Sequence, residues 1–85
     1  MTQGEPTLEA LRAHLAAAIP NLPDDPAEDL FTAGVMDSLK LVEVAMLVEK
    51  AFSIRLEPED FKAENFSTLA RMAATVEAVG RRNAS

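Results

Sequence analysis

Residues 34–52 read GVMDSLKLVEVAMLVEKAF, a loop end followed by an apolar, helix-forming run. Asp37 and Ser38 stand where the run begins. Both residue types favour helix N-caps because their side-chain oxygens accept hydrogen bonds from free backbone N–H groups. The pattern predicts a helix from Ser38 to about Phe52, capped by Asp37 or Ser38. A serine hydroxyl exposed at the positive end of this helix is suited to the attachment of another group rather than to a reaction of its own.

The predicted helix is apolar on two sides. One side has the spacing of a buried face and consists of Leu41, Val44, Ala45, Val48 and Phe52. The other side, here called the Leu39 stripe, consists of Leu39, Val42 and Met46. An ordinary surface helix carries one apolar stripe, so a second stripe is either buried or used by a partner. Glu43, Glu49 and Lys50 flank the Leu39 stripe and resist full burial. We therefore predict an exposed stripe that awaits a partner, with core packing as the alternative.

A first helix is predicted from Thr7, its N-cap, to the helix-stopping Pro20. Its apolar residues recur at helical spacing and are Leu8, Leu11, Leu15, Ala18 and Ile19. The connection over residues 20–37 contains three prolines and one glycine and is long for so small a chain. Long connections of this kind are either functional or disordered. Leu30 and Phe31 supply apolar anchors, so we predict an ordered loop that delivers the Asp-Ser pair.

Two further helices are predicted after the second one. Pro58 fits the first position of a short third helix that runs through Phe61. Ser67 or Thr68 is expected to cap the last helix, which Gly80 ends. The apolar stripe of the last helix consists of Leu69, Met72, Ala73, Val76 and Val79.

The composition agrees with one small helical domain. The chain has 85 residues, of which 48% are apolar and none is cysteine, so its core must form without disulfides. We predict an all-α fold, a four-helix bundle with three main helices, one short helix and a long first loop. The domain is expected over residues 7–80, between a flexible N-terminus at residues 1–6 and a flexible tail at residues 81–85.

Charge and residue usage exclude several classes of function. The formal net charge of −6 disfavours nucleic acids and anionic membranes and favours basic protein partners, although it also serves solubility. No stretch has the pattern of a signal peptide or a membrane span, so a cytoplasmic protein is expected. His14 has no second ligand or base at a useful spacing, so neither a metal site nor a catalytic site is expected.

The order of elements around the Asp-Ser-Leu sequence resembles the acyl carrier protein superfamily, which includes peptidyl and aminoacyl carrier proteins. The matching segments are Asp29-Leu30-Phe31, then GVMDSL at residues 34–39, Leu41-Val42-Glu43, and EKAF at residues 49–52. The resemblance extends from Leu8 to about Val79. It implies the four-helix fold of that superfamily and a covalent prosthetic group.

The resemblance also implies the identity of the group and its site. In that family a transferase moves 4′-phosphopantetheine from coenzyme A onto the serine that matches Ser38. Asp37 is implied to help position the transferase or a metal ion that the transferase holds. A helix N-terminus favours a phosphodiester at this position. Because the chain has no cysteine, the thiol of the arm would be the only thiol on the molecule, and acyl groups would be held on it as thioesters.

The implied function is therefore that of a carrier rather than an enzyme. Such a carrier presents an acyl or aminoacyl group to partner enzymes through the surface that corresponds here to Leu39, Val42, Glu43 and Met46. The implied partners are a phosphopantetheinyl transferase, an acyl- or aminoacyl-activating ligase and a downstream acyl-accepting enzyme, and a monomer is expected.

Carriers of primary fatty-acid synthesis have a strongly acidic second helix, whereas Lys40 and Lys50 interrupt this one. The GVMDSL form is closer to free-standing carriers in specialised metabolism or amino-acid loading, of which D-alanyl and aminoacyl carriers are the nearest types.

Three other functions are alternatives to this one. The chain could be a carrier of primary fatty-acid synthesis, or an unmodified helical interaction module that uses the Leu39 stripe. A small enzyme has little support because no paired carboxylates line an evident apolar pocket. The two acidic pairs that could be proposed, Asp24 with Asp25 and Glu57 with Asp60, are expected to be solvated charges.

Overall fold

The computed structural model describes residues 4–84, with side chains described for residues 7–84. The chain forms α1 (Gly4–Leu15), α2 (Ser38–Phe52) and α3 (Leu69–Ala84), with two 3-10 turns at Pro58–Asp60 and Ala63–Phe66. No β-strand occurs within residues 4–84, so the predicted all-α class is confirmed. The predicted short third helix corresponds to the first 3-10 turn, Pro58–Asp60, and the second turn was not predicted from the sequence. None of the helices in this range combines the length and the apolar composition that a membrane span requires.

The core lies where the three helices meet. Its buried apolar side chains come from the helices, the long loop and the segment before α3: Leu11, Leu15, Ile19, Leu30, Met36, Val44, Ala45, Val48, Leu56, Phe66, Leu69, Met72, Ala73, Val76 and Val79. The set includes the whole predicted stripe of α3 and the central residues of the two other predicted faces. Both of these faces are completed by partly buried side chains, namely Leu8, Ala18, Leu41 and Phe52. The predicted faces of all three helices are therefore confirmed.

The start of α1 differs from the prediction. The helix begins at Gly4, so Thr7 lies inside it and is not its N-cap. The Thr7 hydroxyl instead donates a hydrogen bond of 2.9 Å to a carboxylate oxygen of Glu77 on α3. Pro6 falls in the first turn, where a missing N–H breaks no helical hydrogen bond. Of the expected flexible N-terminus, residues 4–6 are helical and residues 1–3 lie outside the described residues.

The end of α1 is also shorter than predicted. The regular helix stops at Leu15, and the following turn is closed by the Ile19 N–H, which donates to the Leu15 carbonyl at 2.7 Å. Pro20 follows directly, and a residue before proline is pushed away from the α conformation. Pro20 therefore marks the end of the last turn rather than the end of the α-helix itself.

The last helix continues past Gly80 to Ala84, so the predicted helix end is wrong, and residues 81–84 of the expected flexible tail are helical. Two contacts with distant parts of the chain hold this last turn. The Arg82 guanidinium donates to the Asp60 carboxylate at 2.6 and 3.4 Å. The Asn83 amide oxygen accepts from the Arg55 N–H at 2.6 Å. These contacts offset the helix-weakening effect of glycine, which costs about 1 kcal/mol relative to alanine. Ser85 lies outside the described residues.

Asp60 is a buried structural residue and not the solvated charge that the sequence suggested. Its side chain is 12% exposed, and besides Arg82 it accepts a hydrogen bond of 2.7 Å from the Glu57 N–H. The hydrogen bond from Arg82 is the largest influence on the Asp60 carboxyl and lowers its pKa below the ordinary 3.8, while burial acts in the opposite direction. Asp60 thus connects the segment after α2 to the end of α3.

We expect this carboxylate to make the stability of the domain sensitive to acid. Because its pKa is lower in the folded chain, its contribution is complete above pH 3.8 and is lost as the pH falls through the folded pKa. Asp60→Asn should reduce the free energy of unfolding by about 1–2 kcal/mol at pH 7, the range for a hydrogen-bonded charge whose partner is half-exposed. The difference from wild type should shrink as the pH falls below the ordinary carboxyl pKa.

Urea unfolding monitored by circular dichroism between pH 7 and pH 2.5 measures this effect. Glu9→Gln, which alters an exposed acid on α1, is the matched control and should track the wild type throughout. A gap between wild type and Asp60→Asn that stays constant down to the lowest pH would show that ionisation of Asp60 is not its source.

Candidate functional site

Ser38 is the first residue of α2, and Asp37 is its N-cap. The Asp37 carboxylate accepts a hydrogen bond of 2.8 Å from the Lys40 N–H, and its carbonyl accepts one of 2.8 Å from the Leu41 N–H. The cap is therefore supplied by Asp37, which decides between the two residues that the sequence left open. Both side chains are exposed, and within residues 7–84 the Ser38 hydroxyl has no hydrogen-bond partner. A free, exposed hydroxyl thus stands at the positive end of the helix.

The loop before Ser38 is held by an ordered set of hydrogen bonds. The Asp29 carboxylate accepts from the N–H groups of Phe31 and Thr32 at 2.9 and 3.1 Å and forms a compact turn. The Leu30 N–H donates to the Ser67 carbonyl at 2.7 Å, which joins the loop to the residues before α3. Gly34 has φ +81°, a conformation that favours glycine because a side chain there would be strained. The prediction of an ordered loop anchored by Leu30 is confirmed, whereas Phe31 is only partly buried.

Two basic side chains brace this end of the molecule. Arg12 on α1 donates to the carbonyls of Pro23 and Asp24 at 2.9 and 2.8 Å. The Lys40 ammonium donates to the Ala18 carbonyl at 3.0 Å and pairs with the Glu43 carboxylate at 3.1 Å. Sequence reasoning missed both roles. The spacing of Lys40 and Glu43 was a readable signal, but nothing in the sequence pointed to the carbonyl groups that these side chains reach.

The Leu39 stripe is exposed, as the sequence predicted. Leu39 is 84%, Val42 50% and Met46 62% exposed, and they follow one another along α2 from the position next to Ser38. The opposite face of α2 is packed into the core. Single exposed apolar side chains are common on protein surfaces, whereas these three lie together on one face of the helix. The row begins directly beside the free hydroxyl.

The remaining candidates for chemistry lie elsewhere. His14 packs edge-on against Phe52, with ring centroids 5.7 Å apart, at the end of α2 that is about 20 Å from Ser38 along the helix. Within the described part of the chain, no group of three or more His, Asp and Glu side chains is placed to hold a metal ion. The residues around Ser38 fit a phosphodiester, because the first-turn N–H groups and the helix dipole favour an anion there.

Comparisons with known proteins agree with this geometry. The family model described as "Phosphopantetheine attachment site" matches residues 6–76. Two similar proteins are the D-alanyl carrier proteins of Streptococcus pyogenes serotype M5 (strain Manfredo) and serotype M49 (strain NZ131). Each is 38% identical over 50 residues, which is 59% of this chain and 63% of the relative. The chain thus spans less than two thirds of the length of these relatives. No solved structure matches.

The family model covers most of the helical domain, including the long loop, α2 and the first half of α3. The prosthetic group of this family is 4′-phosphopantetheine, for which the start of α2 offers a free hydroxyl and an anion-favouring helix end. The chain therefore belongs to the phosphopantetheine-attachment family, within the acyl carrier protein superfamily.

Proposed function

We propose that Ser38 is the attachment residue and that the chain carries an aminoacyl group, held as a thioester on the phosphopantetheine arm. The attachment proposal rests on the different roles of Asp37 and Ser38 at the start of α2. Asp37 supplies the N-cap, and the exposed Ser38 hydroxyl has no hydrogen-bond partner within residues 7–84. The exposed Asp37 carboxylate beside it offers a negative contact for the transferase or for a metal ion held by that enzyme.

The modification requires little from the chain itself. The Ser38 oxygen forms a bond to phosphorus, while the bond between that phosphorus and the adenosine half of coenzyme A breaks. The hydroxyl proton passes to a base of the transferase, and adenosine 3′,5′-bisphosphate leaves. The chain contributes an accessible hydroxyl, held by the Asp37 cap and the braced loop. Once bound, the arm supplies a thiol that accepts the carried group.

The choice of an aminoacyl cargo rests on the relatives and on the charges of α2. The similar proteins are D-alanyl carrier proteins, and the matched region covers 50 residues of this chain. Lys40 and Lys50 interrupt the acidic character that the resemblance to primary fatty-acid carriers would require. We propose D-alanine as the first cargo to test, with other small amino acids next and a fatty acyl group as the second candidate.

The Leu39 stripe is the proposed docking surface for the partner enzymes. A transferase has to reach the Ser38 hydroxyl, and an aminoacyl-activating ligase and a downstream acceptor enzyme have to reach the arm attached there. The exposed row of Leu39, Val42 and Met46 starts beside that residue. Glu43 flanks the row, with its carboxylate already paired to Lys40. An unmodified interaction module would use the same row, and the following experiment distinguishes the two functions.

Purified chain is incubated with a promiscuous phosphopantetheinyl transferase and coenzyme A, and then with a D-alanine-activating ligase, ATP and D-alanine. We expect intact-mass spectrometry to show one phosphopantetheine group per chain, followed by one D-alanyl group that hydroxylamine releases, as it does other thioesters. L-alanine and a long-chain fatty acid, each with its own ligase, serve as comparison cargos. A chain that gains no phosphopantetheine mass would be an unmodified interaction module. Preferential loading of the fatty acid would replace the aminoacyl proposal with the fatty-acid alternative.

A further inference from the structure

The exposed row on α2 continues into a charged groove at its far end. Leu39, Val42, Met46 and Lys50 follow one another by three, four and four residues, which places them on one face of the helix. Met46 and Lys50 also line a shallow groove of about 450 Å³. The other residues that line this groove are Glu49, Ile54 and Arg55. An enzyme that docks on the Leu39 stripe would therefore meet Lys50 and Arg55 at the end remote from Ser38.

The acidic groups near the stripe are already engaged within the chain. The Glu43 carboxylate pairs with the Lys40 ammonium at 3.1 Å. The Glu49 carboxylate accepts a hydrogen bond of 2.8 Å from the Leu56 N–H. Neither Lys50 nor Arg55 forms an ion pair with a side chain described in residues 7–84, and both are exposed. The groove thus holds two cations and the Glu49 carboxylate, an excess of one positive charge on a chain whose formal net charge is −6.

A stabilising role within the chain accounts for only part of this arrangement. Lys50 lies in the last turn of α2, where a cation interacts favourably with the helix dipole. Arg55 lies beyond the helix, so the dipole gives no reason for its charge. Its backbone is held on both sides by Asn83, which accepts from the Arg55 N–H at 2.6 Å and donates to its carbonyl at 3.5 Å. The guanidinium is thereby attached to a fixed backbone at the edge of the groove.

We propose that the aminoacyl-activating ligase docks on the Leu39 stripe and places an acidic side chain over Lys50 and Arg55. This inference rests on the proposed function. Lys50 lies twelve residues after Ser38, which is about 18 Å along the helix axis. The docking face of the ligase would therefore present an apolar surface that ends in a carboxylate about 18 Å from the entrance through which the arm passes. The two ends of the stripe differ in charge, because Asp37 lies at one end and Lys50 and Arg55 lie at the other. This difference allows the ligase to bind in one direction along α2.

Reversing the charge of Lys50 or Arg55 tests this assignment, because the KM for the carrier should rise if the ligase presents an acidic side chain there. Holo-protein carrying Lys50→Glu or Arg55→Glu is compared with wild type in D-alanine loading by a D-alanine-activating ligase. We expect each substitution to raise the KM for the carrier about fivefold at low ionic strength, with kcat changed less than about twofold. Raising the salt concentration should raise the wild-type KM and reduce the difference between wild type and variant.

Two controls separate docking from folding and from overall charge. Arg71→Glu makes the same change in net charge at an exposed position on α3 that does not line the groove, and its KM should equal that of the wild type. Lys50→Gln, which removes the charge without reversing it, should show a smaller rise than Lys50→Glu. Circular dichroism should be unchanged in each, and Lys50→Gln replaces Lys50→Glu if the reversed charge destabilises the end of α2.

The outcomes are distinct. A KM that falls on charge reversal would mean that the ligase presents basic groups, as the net charge of −6 suggests, and would overturn the inference. An unchanged KM would show that Lys50 and Arg55 lie outside the interface, which also overturns it while leaving the proposed function intact. A wild-type holo-protein that the ligase does not load would contradict the D-alanyl proposal, and this inference with it.

Discussion

Replacing Ser38 with alanine is expected to abolish the transfer of phosphopantetheine to the chain while leaving the fold intact. The substitution removes the proposed acceptor oxygen, so no phosphodiester can form at this position. The hydroxyl has no hydrogen-bond partner within residues 7–84, and the cap is supplied by Asp37, so no hydrogen bond described in that range is lost. Alanine is also the best helix former. The free energy of unfolding should therefore change by less than about 0.5 kcal/mol, as is usual for exposed positions.

The measurement is intact-mass spectrometry after incubation with a phosphopantetheinyl transferase and coenzyme A, together with a urea melt of the same sample. Ser67→Ala is the matched control, since Ser67 precedes α3 and its hydroxyl donates to the Glu64 carbonyl at 3.1 Å. The control should gain the full mass of one phosphopantetheine. If Ser38→Ala gains that mass as well, the group is attached to another hydroxyl, and the assignment of Ser38 fails.

The helix faces and the exposure of the Leu39 stripe could be predicted because they follow from local periodicity. In α2, apolar residues recur at helical spacing on two sides, and charged residues lie between them. This pattern predicted that one side faces the core and the other faces solvent. The choice between Asp37 and Ser38 as the cap could not be made, because both residue types accept the same hydrogen bonds. The observed geometry decides it, since the Lys40 N–H points at the Asp37 carboxylate and leaves Ser38 free.

The helix ends were predicted less well, because contacts between distant residues determine them. Gly80 is a standard signal for the end of a helix. The helix nevertheless continues because Arg82 reaches Asp60, 22 residues earlier in the chain. Thr7 is a standard N-cap residue, but its hydroxyl is used by Glu77, 70 residues away. Sequence spacing carries no information on such pairs. For the same reason, the burial of Asp60 against Arg82 could not be predicted.

Phe66 is the clearest residue that the sequence did not single out, because it lies in a 3-10 turn of four residues that shows no helical periodicity. Its side chain is 1% exposed and belongs to the core, whereas Phe61, five residues earlier, is 39% exposed. The turn that contains Phe66 leads into Ser67, whose carbonyl accepts the 2.7 Å hydrogen bond from Leu30 in the loop before Ser38. Phe66 therefore supports both the core and the position of the loop.

Phe66→Ala is expected to reduce the free energy of unfolding by about 3–5 kcal/mol, because it removes a buried aromatic side chain and leaves a cavity. Small domains have a total stability of about 5–15 kcal/mol, so a loss of this size takes away a large part of it. Phe61→Ala removes the same atoms from a more exposed position and should cost about 1 kcal/mol or less. Because the chain has no Trp or Tyr, urea unfolding is followed by circular dichroism rather than by fluorescence. Equal losses in the two variants would show that Phe66 does not hold the loop and α3 together through the core.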